Sequence, residues 1–246
     1  MKKILAVAAV SATLALSTLG LSTTANAVPV GTGSTTSAPR IGGGTQAPAT
    51  PWEVQLIFQQ GSGSYGCTGE QINADWVLTA NHCVDGTTAM NVYHSNSTSN
   101  RGPAVAADAL YSAPAGDIAL VHLSVSSPLS SYPTLDLGYT TKSSGTGVVS
   151  GYGLRANATP STGLYQATVR LTGRSTDAYG GTAQHLTGVD GASNHGDSGG
   201  PLVVGGAIVG VCSTGDSADP GANVNAGSNY AVLAQSAGWI RSTAGV

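Results

Sequence analysis

Three polar side chains sit in surroundings that suit acyl transfer. They are the histidine of Leu78-Thr79-Ala80-Asn81-His82-Cys83, the aspartate of Gly116-Asp117-Ile118-Ala119-Leu120, and the serine of Gly196-Asp197-Ser198-Gly199-Gly200-Pro201. A serine hydroxyl is too weakly acidic to attack an amide at neutral pH, so an imidazole must take its proton as the new bond forms. His82 fits that role. The imidazolium then needs a buried anion to fix its tautomer and offset its charge, and Asp117, at the head of an apolar run, is placed to be buried. Gly196 permits a tight backbone in which its N–H and that of Ser198 point into one cavity, an oxyanion hole. Gly199 and Gly200 are expected to keep the approach to Ser198 open.

Other residues of the same types carry weaker signals. His94, His122 and His185 read as solvated surface groups. Asp108 competes with Asp117, but no continuous apolar strand follows it. The five histidines are scattered, without zinc-ligand spacing, so no metal is expected. The polar stretch Asn91 to Asn100 lacks the carboxylates of a tight calcium site and reads as a solvent loop.

These groups need a scaffold, and the chain supplies many short runs rich in Val, Ile, Leu, Thr and Tyr: Glu53 to Gln59, Trp76 to Thr79, Ile118 to Leu123 and Gly147 to Ser150. Further runs are Leu164 to Leu171, Pro201 to Val204, Ala207 to Cys212 and Ser228 to Val232. Turn residues separate them, and helical periodicity is confined to about Ala231 to Ser242, with Leu233, Ala237 and Ile240 on one face. The pattern indicates an all-β antiparallel sandwich or barrel.

Upstream, Met1-Lys2-Lys3, an apolar run from Ile4 to Leu21 and Ala25-Asn26-Ala27 form the pattern of a secretory signal peptide, residues 1–27. An uncleaved membrane anchor fits less well, because Ser and Thr interrupt the run and a small-residue cleavage site follows. Residues 28–40 hold little that could fill a core and read as an unstructured propeptide. Residues 41–246 suit one all-β domain or two half-barrels. From Ile41 onward six Lys and Arg oppose twelve acids, a balance that offers nothing to nucleic acid. Export into an oxidising compartment makes pairing of Cys67, Cys83 and Cys212 expected, with one thiol left over. Three pairings are open; Cys67 with Cys83 is preferred because it would join two strands flanking His82.

These segments, in the order His, Asp, Ser, resemble the trypsin and chymotrypsin family. Arg40-Ile41-Gly42-Gly43 resembles its activation junction, Pro51-Trp52-Glu53-Val54 its first core strand and Gly151-Tyr152-Gly153 a later landmark, so the resemblance runs from Ile41 to the C-terminal helix. It implies two six-stranded antiparallel Greek-key barrels with the active site between them and a C-terminal helix. It also implies a secreted serine endopeptidase that works through an acyl-enzyme, needs no cofactor and is a monomer. Its partners would be protein or peptide substrates and proteinaceous inhibitors, with no membrane association after signal cleavage. The short leader and brief propeptide suit a bacterial chain.

The resemblance assigns further roles. Cleavage after Arg40 would free the Ile41 ammonium to pair with Asp197, making the uncut chain a zymogen. Ser213 would support Asp117. Ala192 stands where trypsin-like members carry an aspartate at the pocket floor; with Ser193, Gly215 and Ser228 it implies an uncharged P1 pocket for aromatic or apolar residues. Acidic P1 preference is the competing reading, with His195 at the entrance and Ser193 and Ser228 as donors. Asn194 replaces a cysteine common in relatives, and Cys212 reads as a small buried hydrophobe. The alternative from another class is a noncatalytic secreted binding protein on a protease fold.

Overall fold

The computed structural model describes residues 28–29, 41–155, 157, 159–217 and 220–246. Residues 1–27, the expected signal peptide, lie outside them. In chain order the strands are β1 (Val28–Pro29), β2 (Gly42–Gly43), β3 (Thr45–Gln46), β4 (Glu53–Gln60), β5 (Gly63–Gln71), β6 (Trp76–Thr79), β7 (Thr87–Tyr93) and β8 (Val105–Ser112). Then follow β9 (Ala119–Leu123), β10 (Thr146–Gly151), β11 (Tyr165–Thr176), β12 (Thr182–Gly188), β13 (Gly191–Ala192), β14 (Pro201–Val204), β15 (Ala207–Gly215) and β16 (Gly227–Val232). Helix α1 (Ala237–Ala244) closes the chain.

Two sheets curl into barrels. In the first, β5-β4-β7-β8-β9-β6 run as antiparallel neighbours and a β5–β6 pairing closes the cylinder. In the second, β10-β14-β15-β16-β12-β11 are closed by β10–β11. Each barrel is filled from within: Val54, Leu56, Phe58, Val77, Val92 and Val121 in the first, and Val149, Val169, Leu171, Leu186, Leu202, Val209 and Tyr230 in the second. Inward residues recur at every second position, as the pleat requires. A third apolar cluster joins Leu78, Ile118 and Leu120 to Ile208, Val211, Leu233 and Ile240, cementing the barrels together and seating α1.

The expected antiparallel all-β architecture is found, and all eight strand runs read from the sequence are strands. The helix begins later than expected. Ala231 and Val232 finish β16, and a 3-10 turn over Leu233–Ser236 precedes α1. Asn91 to Tyr93, expected in a solvent loop, belong to β7. The loop after them is tied down, since Asn96 Oδ1 accepts the Leu164 N–H at 2.9 Å and Gln55 Nε2 donates to the Ser95 and Ser97 carbonyls. Within the expected propeptide, Val28 and Pro29 pair with Gly66 and Tyr65 of β5, along a stretch of edge that β6 does not reach. Proline is tolerated there because an edge strand can turn its missing N–H outward.

Glu53 and Glu70 face each other across β4 and β5, both buried. Ser150 Oγ donates to Glu53 Oε1 at 2.8 Å, while Glu53 Oε2 and both Glu70 oxygens have no partner among the other described residues. Burial without donors favours the neutral acid. It raises the Glu53 carboxyl to about 8 against the small opposing effect of Ser150, and raises Glu70 well above the carboxylate range, with the Glu53 charge adding to burial. The folded state therefore holds a proton that the unfolded chain releases near 4.5. Stability from Glu53 is full below that pH and is lost as pH rises through about 8. Linkage puts the change on the order of 5 kcal/mol. Thermal melts of the Ser198→Ala protein should show Tm falling from pH 5 to pH 9, and Glu53→Gln should flatten that slope; a slope unchanged by Glu53→Gln would contradict the assignment.

Candidate functional site

His82 lies on one 3-10 turn, Asn81–Cys83, directly after β6. A Cys67–Cys83 disulfide ties that turn to β5, as expected, leaving Cys212 as the free cysteine among the described residues. The loop it closes spans 16 positions, for which chain entropy gives roughly 3 kcal/mol. Cys67, His82 and Cys83 bring their side-chain donor atoms within 4.8 Å of one another. The two sulfurs are bonded to each other, so no thiolate is available to a metal.

Asp117 is fully buried just ahead of β9. Its Oδ1 accepts the His82 backbone N–H at 2.8 Å, and its Oδ2 contacts His82 Nδ1 at 2.7 Å. A carboxylate only accepts, so Nδ1 carries the ring proton and Nε2 is left with a lone pair. Ser213 Oγ, on β15 of the other barrel, donates to the same Oδ2 at 2.7 Å. The Asp108 competitor pairs instead with His122 Nδ1 at 2.6 Å, both partly exposed.

Ser198 lies between β13 and β14 in a segment anchored from both barrels. Thr68 N–H of β5 donates to the Ser198 carbonyl at 2.9 Å, and Thr68 Oγ1 to the Gly196 carbonyl at 3.0 Å. On the other side, Gly199 N–H reaches the Cys212 carbonyl at 2.9 Å. Gly196 and Gly199 have φ of +86° and +79°, a region costly for residues with a Cβ. A Cβ on Gly199 would lie 2.0 Å from Thr79 Oγ1 and 2.5 Å from the Thr68 carbonyl. The expectation that Gly199 and Gly200 clear the approach to Ser198 is therefore corrected. They are small because β5 and β6, and for Gly200 the Ser150 carbonyl at 2.5 Å, press against them from inside. His82 Nε2 is buried and has no hydrogen-bond partner among the described residues.

Asp197 is fully buried; Oδ1 accepts the Gly153 N–H at 2.9 Å and Oδ2 the Asn194 N–H at 3.0 Å. Ile41 is fully buried in the core of the second barrel, and Gly42–Gly43 pair with Gly191–Ala192. Of the expected pocket residues, Ala192, Ser193 and Ser228 are buried at 2%, 7% and 2% exposure. Ser228 stands opposite Gly215 across β15 and β16. Gly215 is exposed and His195 partly so.

Residues 41–240 match the family model described as Trypsin. The chain belongs to the trypsin family. Its relatives include "Trypsin alpha-4" of Lucilia cuprina, 34% identical over 207 residues, covering 72% of this chain and 77% of that protein. "Trypsin alpha" of Drosophila erecta is 33% identical over 231 residues, covering 83% and 88%. Among solved structures, mouse neuropsin, titled a serine protease expressed in the limbic system of the brain, superposes with a TM-score of 0.64. At 23% identity, covering 82% of this chain and 98% of that one, it shares the fold. This trypsin-family chain is a serine endopeptidase, a hydrolase of proteins. No helix among the described residues is long and apolar enough to cross a membrane.

Sequence reasoning overlooked three side chains of this trypsin-family site. Thr68, in a glycine-rich run without apolar alternation, gave no sign that it would brace Gly196 and Ser198. Tyr230 is fully buried behind Cys212, which it faces across β15 and β16. Tyr179 bridges to Asp85, a contact that depends wholly on barrel docking.

Cys212 is 5% exposed, as the buried-hydrophobe reading expects. Burial first, then the Asp197 charge, pushes its thiol up to about 12, against lesser lowering by the Tyr230 and Ser193 hydroxyls. At pH 8 the reactive thiolate is then roughly one molecule in 10,000. Iodoacetamide at pH 8 should leave folded Ser198→Ala protein unlabelled over an hour and label one thiol after unfolding in guanidinium. Rapid labelling of the folded protein would show that Cys212 opens to solvent.

Proposed function

We propose that this enzyme cleaves peptide bonds through His82, Asp117 and Ser198, by way of an acyl-enzyme on Ser198. The observation that carries the reading is the 2.7 Å contact between His82 Nδ1 and buried Asp117 Oδ2. It fixes the tautomer in which Nε2 accepts the Ser198 proton, then returns it to the leaving amine. Ser213 adds a second hydroxyl-to-carboxylate bond that holds Asp117 in place. The Gly196 and Ser198 N–H groups form the oxyanion hole, each donor contributing about 3 to 4 kcal/mol to the transition state.

Activation follows cleavage after Arg40. The new Ile41 ammonium pairs with Asp197, whose bonds to Gly153 and Asn194 hold the segment next to Gly196. Burial of Ile41 and the pairing of Gly42–Gly43 with Gly191–Ala192 support this reading. An α-amino group titrates near pH 8, and pairing raises that value, so activity is lost as alkaline pH deprotonates it. Export as a signal peptide of residues 1–27 followed by a propeptide of residues 28–40 completes the proposal. Arg40→Gln protein that keeps its propeptide should be at least 100-fold less active than protein beginning at Ile41; equal activity would remove the zymogen step.

The P1 pocket takes uncharged residues. Ala192 at the floor brings no carboxylate, so a Lys or Arg side chain there would lose its water without gaining a counter-charge. Buried Ser193 and Ser228 hydroxyls favour the runner-up, an acidic P1. A P1-varied peptide library, cleaved by protein beginning at Ile41 with Ser198→Ala as control, separates these readings. Cleavage after Phe, Tyr or Leu that vanishes in the control is expected. Cleavage after Glu would transfer specificity to the His195, Ser193 and Ser228 donors, and no cleavage would favour a binding protein on this fold.

A further inference from the structure

The turn between β11 and β12, residues 177–181, is built with more hydrogen bonds than a connection needs. Buried Asp177 accepts the Tyr179 and Gly181 N–H groups through Oδ1, at 2.9 and 2.8 Å, and Gln235 Nε2 through Oδ2 at 3.2 Å. Gln235, just before α1, also bonds the Thr182 N–H and carbonyl. Two neighbouring groups project from this rigid turn towards the site. The Ala178 N–H donates to Ser213 Oγ at 2.9 Å. A backbone N–H can only donate, so Ser213 spends a lone pair on it and directs its own proton to Asp117. The Tyr179 hydroxyl crosses to the other barrel and donates to Asp85 Oδ2 at 2.9 Å.

Asp85 follows His82 on the same short stretch, and its backbone N–H closes onto the Asn81 carbonyl at 2.9 Å. Gln60 Nε2 holds its carbonyl from β4. The bonds thus form a closed ring: His82 to Asp117, to Ser213, to Ala178 and Tyr179, to Asp85, and back to the His82 turn. The ring crosses between the barrels twice, at Asp117–Ser213 and at Tyr179–Asp85. The Tyr179–Asp85 crossing adds to the apolar cluster and the Thr68 bonds that already join the barrels, and it does so right beside the His82 turn. Partial burial, the Asp85 bond and the charges of Asp85 and Asp117 all raise Tyr179 above the ordinary phenol range, so it remains a donor at working pH.

We propose that Tyr179 is a positioning residue for the hydrolysis, its hydroxyl and Asp85 forming a strap that holds the His82 turn against the Ser213-bearing barrel. The proposal rests on the reading of His82, Asp117 and Ser198 as the triad. Tyr179 is 45% exposed and Asp85 is exposed, so the strap is a solvated bond of modest strength that acts through geometry. A small displacement of the base is felt in the chemical step more than in substrate binding.

The test is a double-mutant cycle on activated protein, measuring kcat and KM across pH with a good peptide substrate. Tyr179→Phe and Asp85→Ala should each lower kcat about 3- to 10-fold with KM within twofold. The double variant should fall no further than either single one, since both remove the same bond. Asp85→Asn, which keeps an acceptor oxygen, should retain at least half of kcat. Tm should change by no more than about 2 °C in each variant, which separates positioning from general destabilisation. Multiplying effects in the double variant, a change confined to KM, or unchanged kcat in Tyr179→Phe would overturn the strap. Failure of the triad reading would look different: His82→Ala or Ser198→Ala protein would keep its activity.

Discussion

The Asp117 carboxylate organises this molecule. It is buried where two barrels meet, and an anion taken out of water is tolerated only when donors saturate it. No single barrel supplies them all: the His82 N–H and ring come from the first, and the Ser213 hydroxyl from the second. Docking of the barrels is thus coupled to completion of the site. The apolar cluster running from Leu78 and Leu120 to Val211 and Ile240 gives the force for docking, while the carboxylate gives it a register. The Ser198 segment obeys the same rule, since β5 donates to the Ser198 and Gly196 carbonyls across the interface.

How much of this the sequence disclosed depends on which physical signal each element carries. Strands β4, β6, β9, β10, β11, β14, β15 and β16 are legible because Val, Ile and Leu alternate or run together in them. Strands β5, β7, β8 and β12 were passed over. β5 reads Gly-Ser-Tyr-Gly-Cys-Thr-Gly-Glu-Gln, and nothing local in that run favours extended backbone. It is a strand because β4 and β6 flank it and its backbone groups must be paired inside the barrel. Its glycines have a packing reason too: a Cβ on Gly69 would meet Val77 at 2.8 Å. The late start of α1 has a similar cause, since pairing of Ala231 and Val232 with Val211 and Gly210 outweighs their helical spacing.

At the candidate site, residue types and order pointed to His82, Asp117 and Ser198, each in a short segment with constrained neighbours, and the fold brings His82 Nδ1 to within 2.7 Å of Asp117 Oδ2. Residues that act through contacts between barrels left no local trace. Thr68 and Tyr179 are ordinary polar residues in the sequence, and only the fold makes one a brace and the other a bridge. Gly199 shows the converse error, where the residue was singled out for the wrong reason. Its smallness is required by the Thr79 hydroxyl and the Thr68 carbonyl behind it.

The buried acids show that the supply of donors, rather than burial, separates well-partnered carboxylates from costly ones. Asp117, Asp177 and Asp197 are each shielded from water, and each collects backbone N–H donors. All three lie in turns or loop segments, where N–H groups are not committed to a ladder. Glu53 opens β4 and Glu70 lies one residue from the end of β5; the N–H groups beside them are already committed, that of Glu53 to the Thr50 carbonyl and that of Gln71 to the Trp52 carbonyl, so it is the Ser150 side chain that reaches Glu53. Burial then drives a proton onto them. Loops at the junction of two barrels are therefore the natural place for this fold to keep its charged chemistry, because only there does an unpaired backbone meet an enclosed interior.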